Sequence, residues 1–207
     1  MTRSGERVFI EGGAGRIETV IDLPPRAPRG IALIAHPHPL FGGSLDNKVV
    51  QTLARTFVEL GYVALRPNFR GVGQSEGEHD HGEGETRDMR RVAAYARGRF
   101  GELPLVLAGY SFGAFVQVRA AKRAAPERLV LVAPPSGLAS GTRRYELEPV
   151  PQDTIVIHGE LDETVPLANV LAWARPQDLP VTVIAGADHF FHRRLHLIRR
   201  VVKNQWR

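Results

Sequence analysis

The chain has 207 residues, 43% of them apolar and 24% charged, which suffices for a sizeable core and is ordinary for a soluble globular protein. Its net charge of +5 comes mostly from arginines spread along the sequence, and no zinc, helix-turn-helix or RNA-binding signature accompanies them, so nucleic acid is not an expected partner. The absence of cysteine excludes disulfides, thiolate metal sites and a cysteine nucleophile.

Residues 1–7 contain no apolar leader-like run, and no window reaches the roughly 18 apolar residues of a membrane span. The expectation is one cytoplasmic domain covering 1–207, a monomer or homodimer with no membrane partner. In chain order, 7–11 and 16–23 predict a leading hairpin, and the continuous apolar run 30–35 predicts a strand buried on both faces. A helical stripe comes next over 46–60, closed by Gly61, then a strand at 62–66 and a helix at 85–100. Strands at 103–108, 128–133, 154–157 and 181–185 alternate with helices at 114–124, 167–174 and 190–204. Such alternation predicts an α/β fold, a mostly parallel open sheet with helices on both faces. Sites in such sheets form beyond the carboxyl ends of the strands, so the polar residues there are the candidates.

The strongest of these is Gly109-Tyr110-Ser111-Phe112-Gly113, with an apolar strand before it and a helix-compatible run after it. A strand turning abruptly into a helix at G-x-S-x-G lifts the serine hydroxyl out of the sheet on a strained turn. Gly73-Gln74-Ser75-Glu76-Gly77 matches the same pattern, but no apolar strand feeds it and no helix leaves it, so Ser75 is read as a loop residue. A serine needs a base to take its proton, and that base needs an acid to orient it. Asp162 comes after the strand at 154–157 and His189 after the strand at 181–185, giving the order Ser, Asp, His. Glu160, Glu163, Asp153 and Asp178 compete with Asp162 for the acid's place, while Asp188 reads as a turn residue.

Five blocks in order resemble the α/β-hydrolase superfamily, most closely its small lidless bacterial members related to the dienelactone-hydrolase and serine-aminopeptidase-like groups. They are His36-Pro37-His38-Pro39 with Gly42-Gly43, Asn68 to Ser75, Gly109 to Gly113, His158 to Pro166, and Gly186 to Phe191. The resemblance implies the α/β-hydrolase fold without a lid domain, Ser111 as nucleophile, Asp162 as orienting acid and His189 as general base. Dienelactone hydrolases proper use a cysteine nucleophile, so their substrate is not inherited.

One oxyanion donor is expected from the backbone N–H of Phe112 at the helix start. Pro37 and Pro39 lack an N–H, which leaves His38 for the second donor, with Leu40 or Phe41 as the alternatives. Fewer than twenty residues separate the strands ending near 133 and starting at 154, too few for a lid. The cleft is therefore expected to be open, walled by Leu40, Phe41, Tyr110, Phe112, the 136–150 loop, Phe190 and Phe191, and suited to small soluble esters. His36 and Arg70 read as braces of their loops and His158 as structural. The pairs His36/His38, His79/His81 and His192/His196 lack further ligands at metal spacing, so neither metal nor cofactor is expected. The terminal helix reads as core-docked through Phe191, Leu195, Ile198 and Val202 with a solvated basic face. Two classes of function remain open: a serine hydrolase of esters, with thioesters and peptides as alternatives, or a non-catalytic scaffold that binds an anionic partner.

Overall fold

The computed structural model describes residues 5–139, 141 and 143–206. Its ten strands are β1 (Glu6–Glu11), β2 (Arg16–Asp22), β3 (Gly30–Ala35), β4 (Tyr62–Pro67), β5 (Leu105–Tyr110), β6 (Arg128–Val132), β7 (Gly137–Leu138), β8 (Arg144–Tyr145), β9 (Ile155–Gly159) and β10 (Val181–Ile184). The α-helices are α1 (Lys48–Glu59), α2 (Glu83–Phe100), α3 (Phe112–Ala124), α4 (Leu167–Ala174) and α5 (Leu195–Gln205). Eight strands form one sheet in the order β1-β2-β4-β3-β5-β6-β9-β10. The β1–β2 hairpin and the β2–β4 pairing are antiparallel, and the rest of the sheet is parallel.

The central strands β3, β4 and β5 are buried along their whole length, as strands covered on both faces are. On one face, Met89 and Val92 of α2 and Val116 and Val118 of α3 pack with Leu33, Leu65, Leu105 and Leu107. On the other, Val50, Leu53 and Phe57 of α1 and Ile198 and Val202 of α5 pack with Ile34, Val106, Ala108 and Tyr110. The period-2 alternation of β5 thus sends Leu105 and Leu107 to one face and Val106, Ala108 and Tyr110 to the other. The chain steps from β3 outward to β4, then crosses back to β5 on β3's other side. The loops after β3 and β5 therefore leave the sheet in opposite directions and open a crevice between them.

Several boundaries differ from the sequence expectation. The strand expected at 103–108 runs from Leu105 to Tyr110, so the turn that carries Ser111 begins at its very end. The helix expected at 190–204 begins at Leu195, after consecutive turns through Phe191 and Arg194. Phe191 and Arg193 there have positive φ, which a helix does not accommodate. The 136–150 segment, expected as loop, contains the small hairpin β7–β8, and among its described residues it holds no helix. As expected, α5 docks through Ile198 and Val202, while its outward Arg199 and Lys203 pair with Glu59 of α1.

Candidate active site

Ser111 sits between the end of β5 and the start of α3 with φ 53° and ψ −124°, a conformation a non-glycine residue adopts only under constraint. Close approach of backbone supplies that constraint. A Cβ at Gly109 would lie 2.4 Å from the carbonyl oxygen of Gly113, and one at Gly113 would lie 2.3 Å from that of Ala35 and 2.5 Å from that of His36. The two flanking glycines therefore let the turn close on itself and press against the loop after β3. Gln117 of α3 fixes the helix from below, donating to the carbonyls of Leu33 and Ala108 at 2.9 and 3.1 Å.

The structure brings Ser111, His189 and Asp162 together. His189 Nε2 lies 3.1 Å from Ser111 Oγ, and His189 Nδ1 lies 2.7 Å from Asp162 Oδ2. Asp162 Oδ1 accepts from the backbone N–H groups of Thr164 at 3.0 Å and Val165 at 2.7 Å, which fix the direction in which the carboxylate points. With a carboxylate oxygen as the acceptor at Nδ1, that nitrogen carries the ring proton and Nε2 is free to accept from the serine hydroxyl. All three residues are buried.

Three of the four competing acids have other places, and the fourth, Glu163, is exposed to solvent. Glu160 accepts from the backbone of Gly186, Asp153 faces Arg128, and Asp178 occupies the left-handed turn that ends the short helix after α4. Asp188 binds the backbone and the ring of His192, the turn role expected of it. His158, fully buried beneath Asp162, places Nε2 at 2.9 Å from the carbonyl of Val165 and 3.4 Å from Asp162 Oδ2. Burial lowers its pKa, so it braces the acid's loop as a neutral ring.

The loop after β3 is tied down by His36. Its Nε2 accepts from the N–H of Phe69 at 2.9 Å, which assigns the proton to Nδ1, and Nδ1 donates to the carbonyl of Pro37 at 2.6 Å. Complete burial lowers its pKa to about 3, so the ring stays neutral. Of the donors considered for this loop, Leu40 N–H is directed to His38 Nδ1 and Phe41 N–H to the carbonyl of His38. The backbone N–H groups of His38 and Phe112 have no hydrogen-bond partner among the described residues. The ring of His38 lies 4.9 Å from that of Phe112, with its pKa lowered to about 4 by burial and by His79 and Arg143.

Tyr110 lies off the cleft wall, against the expectation. It is 1% exposed because strand alternation points it into the α1/α5 face. Its hydroxyl, kept neutral by burial and by Asp162 and Asp188, donates to the carbonyl of His189 at 2.9 Å. It therefore positions the histidine's backbone from below. Phe112 and Phe191 are likewise buried and offer little surface to a ligand. Leu40, Phe41 and Phe190 are exposed as expected, and Leu138 and Leu161 join them at the same edge of the sheet, between 55% and 68% exposed. Arg143, whose guanidinium lies 4.1 Å from the centre of the Phe41 ring, was not foreseen; only the fold brings 143 beside 41. Arg70 acts as a brace, as expected, its Nε donating to Asp88 of α2 at 2.9 Å.

The chain is similar to several known proteins. The family model described as serine aminopeptidase, S33, matches residues 40–152. A Xanthomonas campestris structure described as an α/β serine hydrolase without a lid is 35% identical, superposes with a TM-score of 0.90, and the match covers 99% of this chain and 94% of that one. An α/β serine hydrolase homologue from Coxiella burnetii is 36% identical with a TM-score of 0.86, covering 99% and 98%. An uncharacterized protein of Rickettsia prowazekii is 34% identical over 201 residues, 89% of this chain and 82% of its own.

Proposed function

This chain belongs to the α/β-hydrolase superfamily, within the serine aminopeptidase S33 family, and on that footing we propose that it hydrolyses small carboxylic esters, and thioesters of similar size, through an acyl-enzyme on Ser111. The observation that supports this most directly is the unbroken line from Ser111 Oγ to His189 Nε2 at 3.1 Å and from His189 Nδ1 to Asp162 at 2.7 Å. As Ser111 Oγ bonds to the substrate carbonyl carbon, its proton passes to His189 Nε2, and Asp162 stabilises the resulting imidazolium. The oxyanion is received by the N–H groups of Phe112 and His38. Collapse breaks the bond to the leaving alcohol or thiol, which takes the proton from His189. Water then gives a proton back to His189 and attacks the acyl carbon, and the carboxylic acid departs as Ser111 is restored.

The family's peptidase members raise an alternative that this site fits less well. An aminopeptidase needs an anionic anchor for the substrate's ammonium group; beside the triad Glu160 is bound to Gly186 and Asp188 to His192, which leaves the exposed Glu163, while the rim is mainly apolar, with Leu40, Phe41, Leu138, Leu161 and Phe190 and with Arg143 against Phe41. Apolar acyl groups of modest size match such an open rim. The test is fluorophosphonate labelling followed by a panel of p-nitrophenyl esters, thioesters and aminoacyl anilides. Labelling at Ser111 with fastest turnover on short acyl esters is expected; no labelling, or preference for the aminoacyl anilides, would overturn the proposal.

A further inference from the structure

Away from the catalytic edge, between α2 and α3 and bordered by Glu148, lies a cavity of about 350 Å³. Its walls are Arg87, Arg90, Arg119, Lys122 and Arg123, against only two carboxylates, Glu83 and Glu148. Those carboxylates are already committed, Glu83 to Arg119 and Glu148 to Lys122, and Arg87 pairs outward with Asp80. Arg123 makes no ion pair among the described residues; Arg90 donates through Nη2 to the carbonyl of Arg119 at 2.7 Å, while its Nε and Thr86 Oγ1, buried at the wall, have no hydrogen-bond partner there, and Glu148 Oε2 meets Lys122 as an ion pair only. The excess positive charge is felt within the cluster. Burial and the neighbouring guanidinium groups of Arg123 and Arg119 lower the pKa of Arg90. Gathered cations whose local carboxylates leave charge uncompensated favour an anion that brings more than one charge.

We propose that this cavity binds a small soluble anion bearing phosphoryl groups. Guanidinium groups match phosphoryl oxygens in planar geometry, and a single carboxylate would neutralise only one of the two cations, Arg90 and Arg123, that the local carboxylates leave uncompensated. The cavity's recessed walls fit a compact ligand such as pyrophosphate better than a flat lipid surface. The site is separate from Ser111 and does not depend on the hydrolase reading.

Calorimetric titration with pyrophosphate at low ionic strength is expected to show submillimolar binding. Arg123→Glu should weaken it about tenfold and Glu148→Gln, which removes a competing carboxylate, should tighten it about threefold. Arg200→Glu, the same charge change on the exposed side of α5 across the sheet, should leave it within about twofold. Arg87→Gln serves in place of Arg123→Glu if the latter does not fold. Absence of binding, equal loss in Arg200→Glu, or capture by phosphatidate vesicles without binding of pyrophosphate would each overturn the assignment.

Discussion

Ser111 and Ser75 occupy the same five-residue pattern, yet one hydroxyl faces an imidazole at 3.1 Å while the other is used up by the backbone. Ser75 Oγ accepts from the N–H of Glu18 and donates to the carbonyl of Asn68, both at 2.9 Å. The glycines differ as much as the serines. Gly73 has φ +58° and serves a left-handed turn packed against Glu18 and Asn68, whereas Gly109 and Gly113 are needed because backbone lies against them. A pattern of residue types thus specifies a tight turn, and the segments that enter and leave that turn decide whether its serine is presented or sequestered. His36 joins the two regions. Its carbonyl abuts Gly113, and its ring accepts from Phe69 in the segment leading to Ser75.

The sharpest way to break the comparison is to exchange the fates of the two hydroxyls. Ser111→Ala should lower kcat on a short p-nitrophenyl ester by about 10⁴–10⁶-fold, while Ser75→Ala leaves kcat within about threefold. Comparable losses from both would show that the second turn takes part in the chemistry. Asp162→Asn should cost about 10⁴-fold by favouring the wrong tautomer of His189, and Glu160→Gln, in the same loop but bound to Gly186, should not. Gly113→Ala drives a methyl into the carbonyls of Ala35 and His36 and should destabilise by about 3 kcal/mol in urea unfolding, with slower fluorophosphonate labelling.

Smaller effects sharpen the contrast. Ser75→Ala, which orphans a buried N–H and a buried carbonyl, should cost about 2 kcal/mol of stability with unaltered labelling of Ser111. His36 gives a pH signature. Its folded pKa is about 3, below the ordinary value of 6.5, so between these limits the unfolded chain binds a proton that the folded chain refuses. Stability is therefore lost as pH falls, by about 1 kcal/mol between pH 7 and 5.5 from this group. His158, also lowered by burial, adds in the same direction. Urea midpoints measured at the two pH values should converge in His36→Gln; an undiminished difference would remove His36 as the cause.

The α/β order, the run of buried strands and the succession Ser111, Asp162, His189 were legible because they depend on local period and on the residues just past each strand end. The burial of Tyr110 is also in the sequence: counting by two along β5 from Val106 places it inside with Ala108, so its position next to Ser111 does not put it on the cleft wall. Glu18 was beyond reach. A glutamate on a hairpin strand reads as solvent-facing, yet here it is 2% exposed, accepting from Asn68 and the backbone of Gln74 and pairing with Arg7. Arg143 against Phe41 and the cations lining the α2–α3 cavity were equally invisible, since those partners come from separate elements.

By itself, the amino-acid order determined which segments are the strands of the main sheet, where their turns close and which residues stand at their ends, because apolar period and glycine placement act over a few neighbouring positions; the short β7–β8 hairpin carries no such period. Only the folded chain decided which of those end residues meet. Contact at 2.7 to 3.1 Å between side chains 27 and 78 positions apart depends on strand order, crossover and the packing of whole helices. No short stretch of sequence contains that information.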